Sequence, residues 1–118
     1  MRRVPAPSPR EVGSQAEDRA ARYLLGLGYT LVARRVKTRS GELDIVAMDG
    51  DVLVLAEVRS RKPGAPPEAS LGPRKVARLR RAAREYLMAA AGPDIAWRFD
   101  LVALEGDEIR HVPGVLWD

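Results

Sequence analysis

The segment from Gly41 to Arg61, G-E-L-D-I-V-A-M-D-G-D-V-L-V-L-A-E-V-R-S-R, constrains this chain more than any other. Two alternating apolar runs meet at Asp49-Gly50, and Asp-Gly supplies the positive φ angles that a type I′ turn needs, so the pattern predicts a β-hairpin with its tip there. Such a turn pairs Met48 with Asp51 and, counting back, Val46 with Leu53, Asp44 with Leu55 and Glu42 with Glu57. Side chains alternate faces with a period of two, which puts Leu43, Ile45, Ala47, Val52, Val54, Ala56 and Val58 on an apolar face suited to a core. Glu42, Asp44, Leu53, Leu55, Glu57 and Arg59 share the other face. Directly opposed, Glu42 and Glu57 repel unless something positive lies near them. Asp44 and Glu57 become diagonal neighbours about 7–8 Å apart at the backbone, within reach of one cation. Clustered carboxylate oxygens suit a hard divalent ion, Mg²⁺ or Mn²⁺.

The remaining elements give this hairpin its surroundings. Ala16, Ala20, Tyr23, Leu24 and Leu27 recur at helical spacing, with Ser8 or Ser14 as the start and Gly28 as the stop. Glu17 lies beside that stripe. It has two readings: a group looking across the sheet edge, or the partner of Ser14 in an S-x-x-E capping box. Tyr29 to Val36 alternates as a first strand. Ser60 to Pro73, rich in proline and glycine, reads as a long loop. A second helix follows from Pro73 to about Ala91, ended by Gly92-Pro93, with Val76, Leu79, Ala83, Tyr86, Leu87 and Ala90 on its buried stripe. Ala96 to Leu104 forms a fourth strand and Glu108 to Val112 a short fifth. The order α-β-β-β-α-β, with that terminal strand, predicts an α/β domain in which helices flank a mixed sheet. Residues 1–12 read as a flexible, basic, proline-rich tail, and residues 13–118 as a single domain.

Composition removes several function classes. The chain has 118 residues and no cysteine, so disulfides and thiolate metal sites are excluded, and zinc would find only His111 as a nitrogen ligand. No apolar run reaches the roughly 20 residues of a membrane span, and the first residues lack the apolar segment of a secretory signal, so the expected location is cytoplasmic. A net charge of +4 and a pI of about 10.0 permit a nucleic-acid partner without demanding one. The second helix is the more telling region. Arg74, Lys75, Arg78, Arg80, Arg81 and Arg84 crowd its first turns, either as a solvated face or as a surface for phosphates. Arg61 and Lys62 add positive charge at the start of the loop.

Hydrolysis of a phosphodiester needs a bound cation, an activated water and positive charge near the transition state. Asp44 and Glu57, with the backbone carbonyl of Val58 as a further ligand, suit the first two needs. Arg59 suits the third, and Glu42 is an accessory carboxylate. The alternative is a solvent-exposed, mutually compensating charge cluster, which a covering helix would disfavour because buried charge needs a purpose.

G-E-L-D at 41–44 followed by A-E-V-R-S-R at 56–61 resembles the G-E-I-D…V-E-V-K-x-R signature of the YraN-like proteins, a bacterial family of small proteins. G-S-Q-A-E-D-R-A-A-R-Y-L at 13–24, Gly28-Tyr29, Lys75 and R-F-D-L-V at 98–102 fit the same pattern. That family looks like a branch of the PD-(D/E)xK nuclease superfamily and is similar in core layout to archaeal Holliday junction resolvases. The resemblance implies a restriction-endonuclease-like fold and an Mg²⁺- or Mn²⁺-dependent endonuclease acting on DNA, branched or structured DNA included. It also implies metal binding by Asp44 and Glu57 and a catalytic place for Glu17. Related resolvases act as dimers, so a homodimer is compatible with it. Arg59 departs from the family, where lysine is usual: arginine keeps the charge but cannot be deprotonated, and its planar fork is no substitute for an ammonium. A nucleic-acid-binding protein that keeps the fold with impaired turnover is therefore the alternative expectation. A protein-interaction scaffold, using the proline-rich loop and Trp117, is a third.

Overall fold

The computed structural model describes residues 9–60, 71–92 and 94–115. Helix α1 spans Pro9–Gly26 and strand β1 spans Thr30–Lys37. Strands β2, Glu42–Asp49, and β3, Val52–Ser60, form the hairpin; helix α2 covers Pro73–Tyr86 and continues as a π-helical turn, Leu87–Ala91. Strands β4, Trp97–Glu105, and β5, Glu108–Val112, complete one five-stranded sheet in the order β1-β2-β3-β4-β5. All neighbouring strands are antiparallel except β3 and β4. That parallel pair needs a crossover, and α2 lies in the connection. The chain is thus an α/β protein with a mixed sheet between two helices, consistent with a restriction-endonuclease-like core.

Each face of the sheet has its own helix. Ala16, Ala20, Ala21 and Leu24 of α1 pack on Ile45, Ala47, Ala56, Val102 and Leu104. Three alanines in that stripe bring the helix axis close to the strands. On the other face Leu79, Ala82, Ala83 and Leu87 cover Val46, Leu53, Leu55 and Phe99. Both faces of β2 and β3 are therefore buried along most of their length, and the face that turns acidic is the one under α2.

The hairpin closes differently from expectation. Asp49 pairs with Val52, Met48 with Leu53 and Ile45 with Ala56, so Gly50 and Asp51 form the loop and each β2 residue meets a β3 partner two positions later than predicted. Gly50 supplies the positive φ, 58°, at the first loop position. Asp49 stays in the strand, where its carboxylate receives Arg98 Nη1 at 3.1 Å. A shift of two keeps Ile45, Ala47 and Ala56 on one face and Leu53 and Leu55 on the other, whereas a shift of one would have inverted them. Leu43, expected beside Ile45, instead packs in the cluster under α2, beyond Ile45, where the pairing of β2 with β3 stops. The shift removes the predicted opposition of Glu42 and Glu57: Glu42 pairs with Lys37 of β1.

The helix ends depart in smaller ways. Because α1 begins at Pro9, position 14 lies inside the helix and not at its start, where the capping-box reading of Glu17 placed it. Its far end closes as expected at Gly28, φ 94°, where Gly28 N donates to Leu25 O and Tyr29 N to Leu24 O in a Schellman arrangement. At the end of α2 the amide of Gly92 reaches five residues back to Leu87 O at 2.9 Å, widening the last turn into a π turn. Among the described residues, no helix is long and apolar enough to cross a membrane.

Candidate functional site

Asp44 comes from β2 and Glu57 from β3, at the end of the hairpin away from its turn. The paired ladder stops at Ile45 and Ala56, one step before them. Beyond it Asp44 Oδ2 accepts the amide of Val58 at 2.8 Å, a side chain replacing a backbone acceptor. Continued by one residue, the register sets Asp44 opposite Glu57, closer than the diagonal placement predicted from sequence. Both carboxylates line a cavity of about 180 Å³, together with Gly41, Glu42, Lys75, Arg78 and Leu79.

The electrostatics of this cavity are unusual for a surface-derived charge cluster. Glu57 is 5% exposed. Burial, then the negative charge of Asp44 and a hydrogen bond with it, push the Glu57 carboxyl up from 4.5 to about 8, against the opposing pull of Lys75 and Arg59. Two carboxylates in a low-dielectric site cannot both ionise cheaply, so they retain a proton unless a cation replaces it. Lys75 Nζ lies 3.7 Å from Glu57 Oε1 and offsets part of that cost. The reading as an exposed, self-compensating cluster does not describe Glu57.

Local devices hold the cavity open. Thr38 N and Oγ1 both donate to Gly41 O, at 2.8 and 2.7 Å, while Gly41 N donates to Thr38 Oγ1 at 3.1 Å. Ser40 N and Oγ donate to the Glu85 carboxylate at 3.0 and 2.7 Å, tying this turn to α2 and lowering the Glu85 pKa. A Cβ on Gly41 would stand 3.2 Å from Arg78 Cγ, so glycine lets the arginine pass close to the chain.

Other predicted site residues are distributed less compactly. Glu17, on the opposite helix, is held by Arg35 Nε at 3.2 and 3.3 Å; the structure pairs it there and does not bring it into the acidic cavity. Arg35 is also the one described non-glycine residue with a positive φ, 52°, and the charge of Glu42 acts on it as well. Arg59 lies outside the cavity lining, and its charge acts on Glu57 less than that of Lys75. Arg74, Arg78 and Arg81 line a second cleft on α2 with Ala77, and Arg78 borders both spaces. Arg61, Lys62 and Trp117 lie outside the described residues.

Oxygen ligands in a small cavity fit a hard divalent cation. Among the described residues no group of three or more His, Asp or Glu side chains is placed to hold one. Asp44 and Glu57 would therefore supply two protein ligands and leave the rest to water or backbone oxygen, as magnesium tolerates.

A second buried carboxylate was not recognised as a site from sequence. Asp100 is fully buried and accepts from Arg98 Nε at 3.0 Å and Gly114 N at 3.1 Å, with His111 Nε2 at 2.7 Å. Burial pushes its pKa up, but the hydrogen bonds from His111, Arg98 and Gly114 outweigh it and hold the group low. Arg98 also donates to Tyr29 Oη at 2.5 Å and to Asp49, and Tyr23 Oη lies 3.3 Å from His111 Nδ1. The available signal was Arg98-x-Asp100 on one strand with His111 on the next, two charges alternating onto a face otherwise apolar.

The chain matches the model of the family described as "Uncharacterised protein family UPF0102" over residues 16–104. It is 45% identical over 107 residues to a UPF0102 protein of Halorhodospira halophila, covering 88% of this chain and 85% of that one. A UPF0102 protein of Bordetella avium is 41% identical over 111 residues, covering 92% and 77%. One of Anaeromyxobacter dehalogenans is 41% identical over 108 residues, covering 86% and 81%. The acidic cavity, Arg98 and Asp100 fall within the matched span, whereas His111 and Gly114 lie beyond it, and the chain belongs to the UPF0102, or YraN-like, family.

Proposed function

We propose that this protein is a metal-dependent endonuclease of the PD-(D/E)xK type that hydrolyses phosphodiester bonds in DNA, with branched or structured DNA as its substrate class. One observation carries the reading: Asp44 and Glu57 are brought together in a covered cavity beneath a basic helix, at the cost of burying Glu57 against a like charge. A chain shaped for stability alone gains more from an apolar pair at such a place. The sheet order and the flanking helices support the superfamily link.

Asp44 and Glu57 would hold Mg²⁺ or Mn²⁺, which when bound polarises phosphate and lowers the pKa of water. The amide of Val58 fixes the orientation of Asp44. Arg74, Arg78 and Arg81 offer cations along α2 for flanking phosphates. In the overall reaction a bond forms between the water oxygen and phosphorus, the bond to one ester oxygen breaks, and the proton released by water ends on that oxygen. A nucleic-acid-binding protein without efficient turnover is the second reading, favoured by arginine at position 59.

Incubation of the purified full chain with linear, nicked, branched and single-stranded DNA, with Mg²⁺ or Mn²⁺, tests the first reading. Cleavage of at least one substrate is expected, falling about a hundredfold or more in Asp44→Asn. Binding without cleavage of any substrate would favour the second reading.

A further inference from the structure

In a chain with 17 arginines and three lysines, Glu57 forms an ion pair with a lysine, Lys75, in the acidic cavity that Arg78 also lines. Delivery of Lys75 follows from helix periodicity. Lys75 stands four residues before Leu79, and side chains at that spacing share a face. Leu79 is 2% exposed against the sheet, so Lys75 is directed to the same side, one turn nearer the helix start. There the sheet beneath carries Glu57, and the ammonium ends 3.7 Å from Oε1 with its side chain 33% exposed. Lys75 thus lines the cavity while still reaching solvent. Arg74, the preceding residue, instead lines the outer cleft.

We propose that Lys75, supplied by α2, is a catalytic residue of this site, its ammonium contacting a non-bridging oxygen of the phosphodiester in the role expected of Arg59. The proposal rests on the nuclease reading. A phosphate beside Asp44 and Glu57 would meet an ammonium with three donors on a flexible stem. That compact charge suits a space of about 180 Å³. Lys75 contributes positive charge as negative charge gathers on the phosphoryl oxygens. Arginine at position 59 then carries no penalty for turnover.

Steady-state cleavage by the full chain tests this with Lys75→Ala, Lys75→Arg and Arg22→Ala, the last an exposed charge on α1 across the sheet. Lys75→Ala is expected to lower kcat about a hundredfold or more with KM within about threefold. Lys75→Arg should recover about tenfold of that loss, and Arg22→Ala should stay within about twofold of wild type. A kcat for Lys75→Ala within about threefold of wild type, in a protein that loses activity in Asp44→Asn, overturns the assignment of Lys75 and leaves the nuclease reading standing. If the wild type cuts nothing, the nuclease reading fails and with it the catalytic role. The phosphate contact is then read by the affinity for a labelled DNA oligonucleotide in Ca²⁺, a hard cation with the same oxygen preference. Lys75→Ala should weaken it about tenfold and Arg22→Ala by no more than about twofold. Equal weakening in the two variants, or none in Lys75→Ala, overturns the contact as well.

Discussion

Asp100 and Glu57 are buried carboxylates on neighbouring strands, one under each helix, and the sheet treats them in opposite ways. Asp100 is surrounded by donors: Arg98, the amide of Gly114 and His111 hold it ionised in spite of burial. Glu57 faces another carboxylate, with one ammonium at 3.7 Å, and is held largely protonated at neutral pH. The first arrangement completes itself and ties β4 to β5, to the turn after it and, through Arg98, to Asp49 and Tyr29. The second is incomplete until something positive enters. A buried acid whose hydrogen bonds are satisfied contributes structure; one left against its own kind marks a place for a ligand.

The largest effect expected from this contrast is on stability at Asp100. Asp100→Asn removes the charge that Arg98 and His111 are arranged around, and should destabilise the fold by about 3 kcal/mol or more in chemical denaturation. A loss below about 1 kcal/mol would break the comparison by showing the network to be dispensable.

The next effect is a pH dependence of opposite kind. The Glu57 pKa is raised in the folded state from 4.5 to about 8, so the folded chain binds more protons than the unfolded one between those values. The stabilisation is fully present below pH 4.5 and is lost as pH rises through about 8, with a slope approaching about 1.4 kcal/mol per pH unit in that window. Glu57→Gln, neutral throughout, should lack this slope, and saturating Mg²⁺ should flatten it in the wild type. Identical pH profiles for wild type and Glu57→Gln would contradict the burial of a shared proton. The smallest effect concerns Gly41. Gly41→Ala places a methyl against the Arg78 side chain, which can swing aside, so stability should change by less than about 1 kcal/mol while DNA affinity drops about threefold. A larger stability loss would make Gly41 part of the fold's framework.

Much of this layout was legible in the sequence because periodicity is a local signal. Alternation from Ile45 to Ala56 fixed the faces, and the spacing of Val76, Leu79 and Ala83 fixed which side of α2 meets the sheet. The hairpin turn was misplaced by one residue, since Asp49-Gly50 and Gly50-Asp51 are both acceptable loops. What decides between them is Arg98, about fifty residues away in the chain, which holds Asp49 in the strand. The pairing of Glu17 was not legible for a related reason. Its partner Arg35 is placed by a bulge near Val32 and a left-handed backbone, features of pairing with β2 that no local pattern announces. Asp100 escaped notice as a site because a single acid in an apolar strand says nothing of the donors that two other elements bring to it.

Asp44 and Glu57 are proposed to form a cation site that is complete only when the ion is bound. Calorimetric titration of Mn²⁺ into the wild-type chain and into Asp44→Asn tests it without reference to any substrate. Saturable binding of one ion to the wild type is expected, with an affinity at least about a hundredfold weaker in the folded variant. Absence of saturable binding to the wild type, or equal affinity in the two proteins, would contradict it.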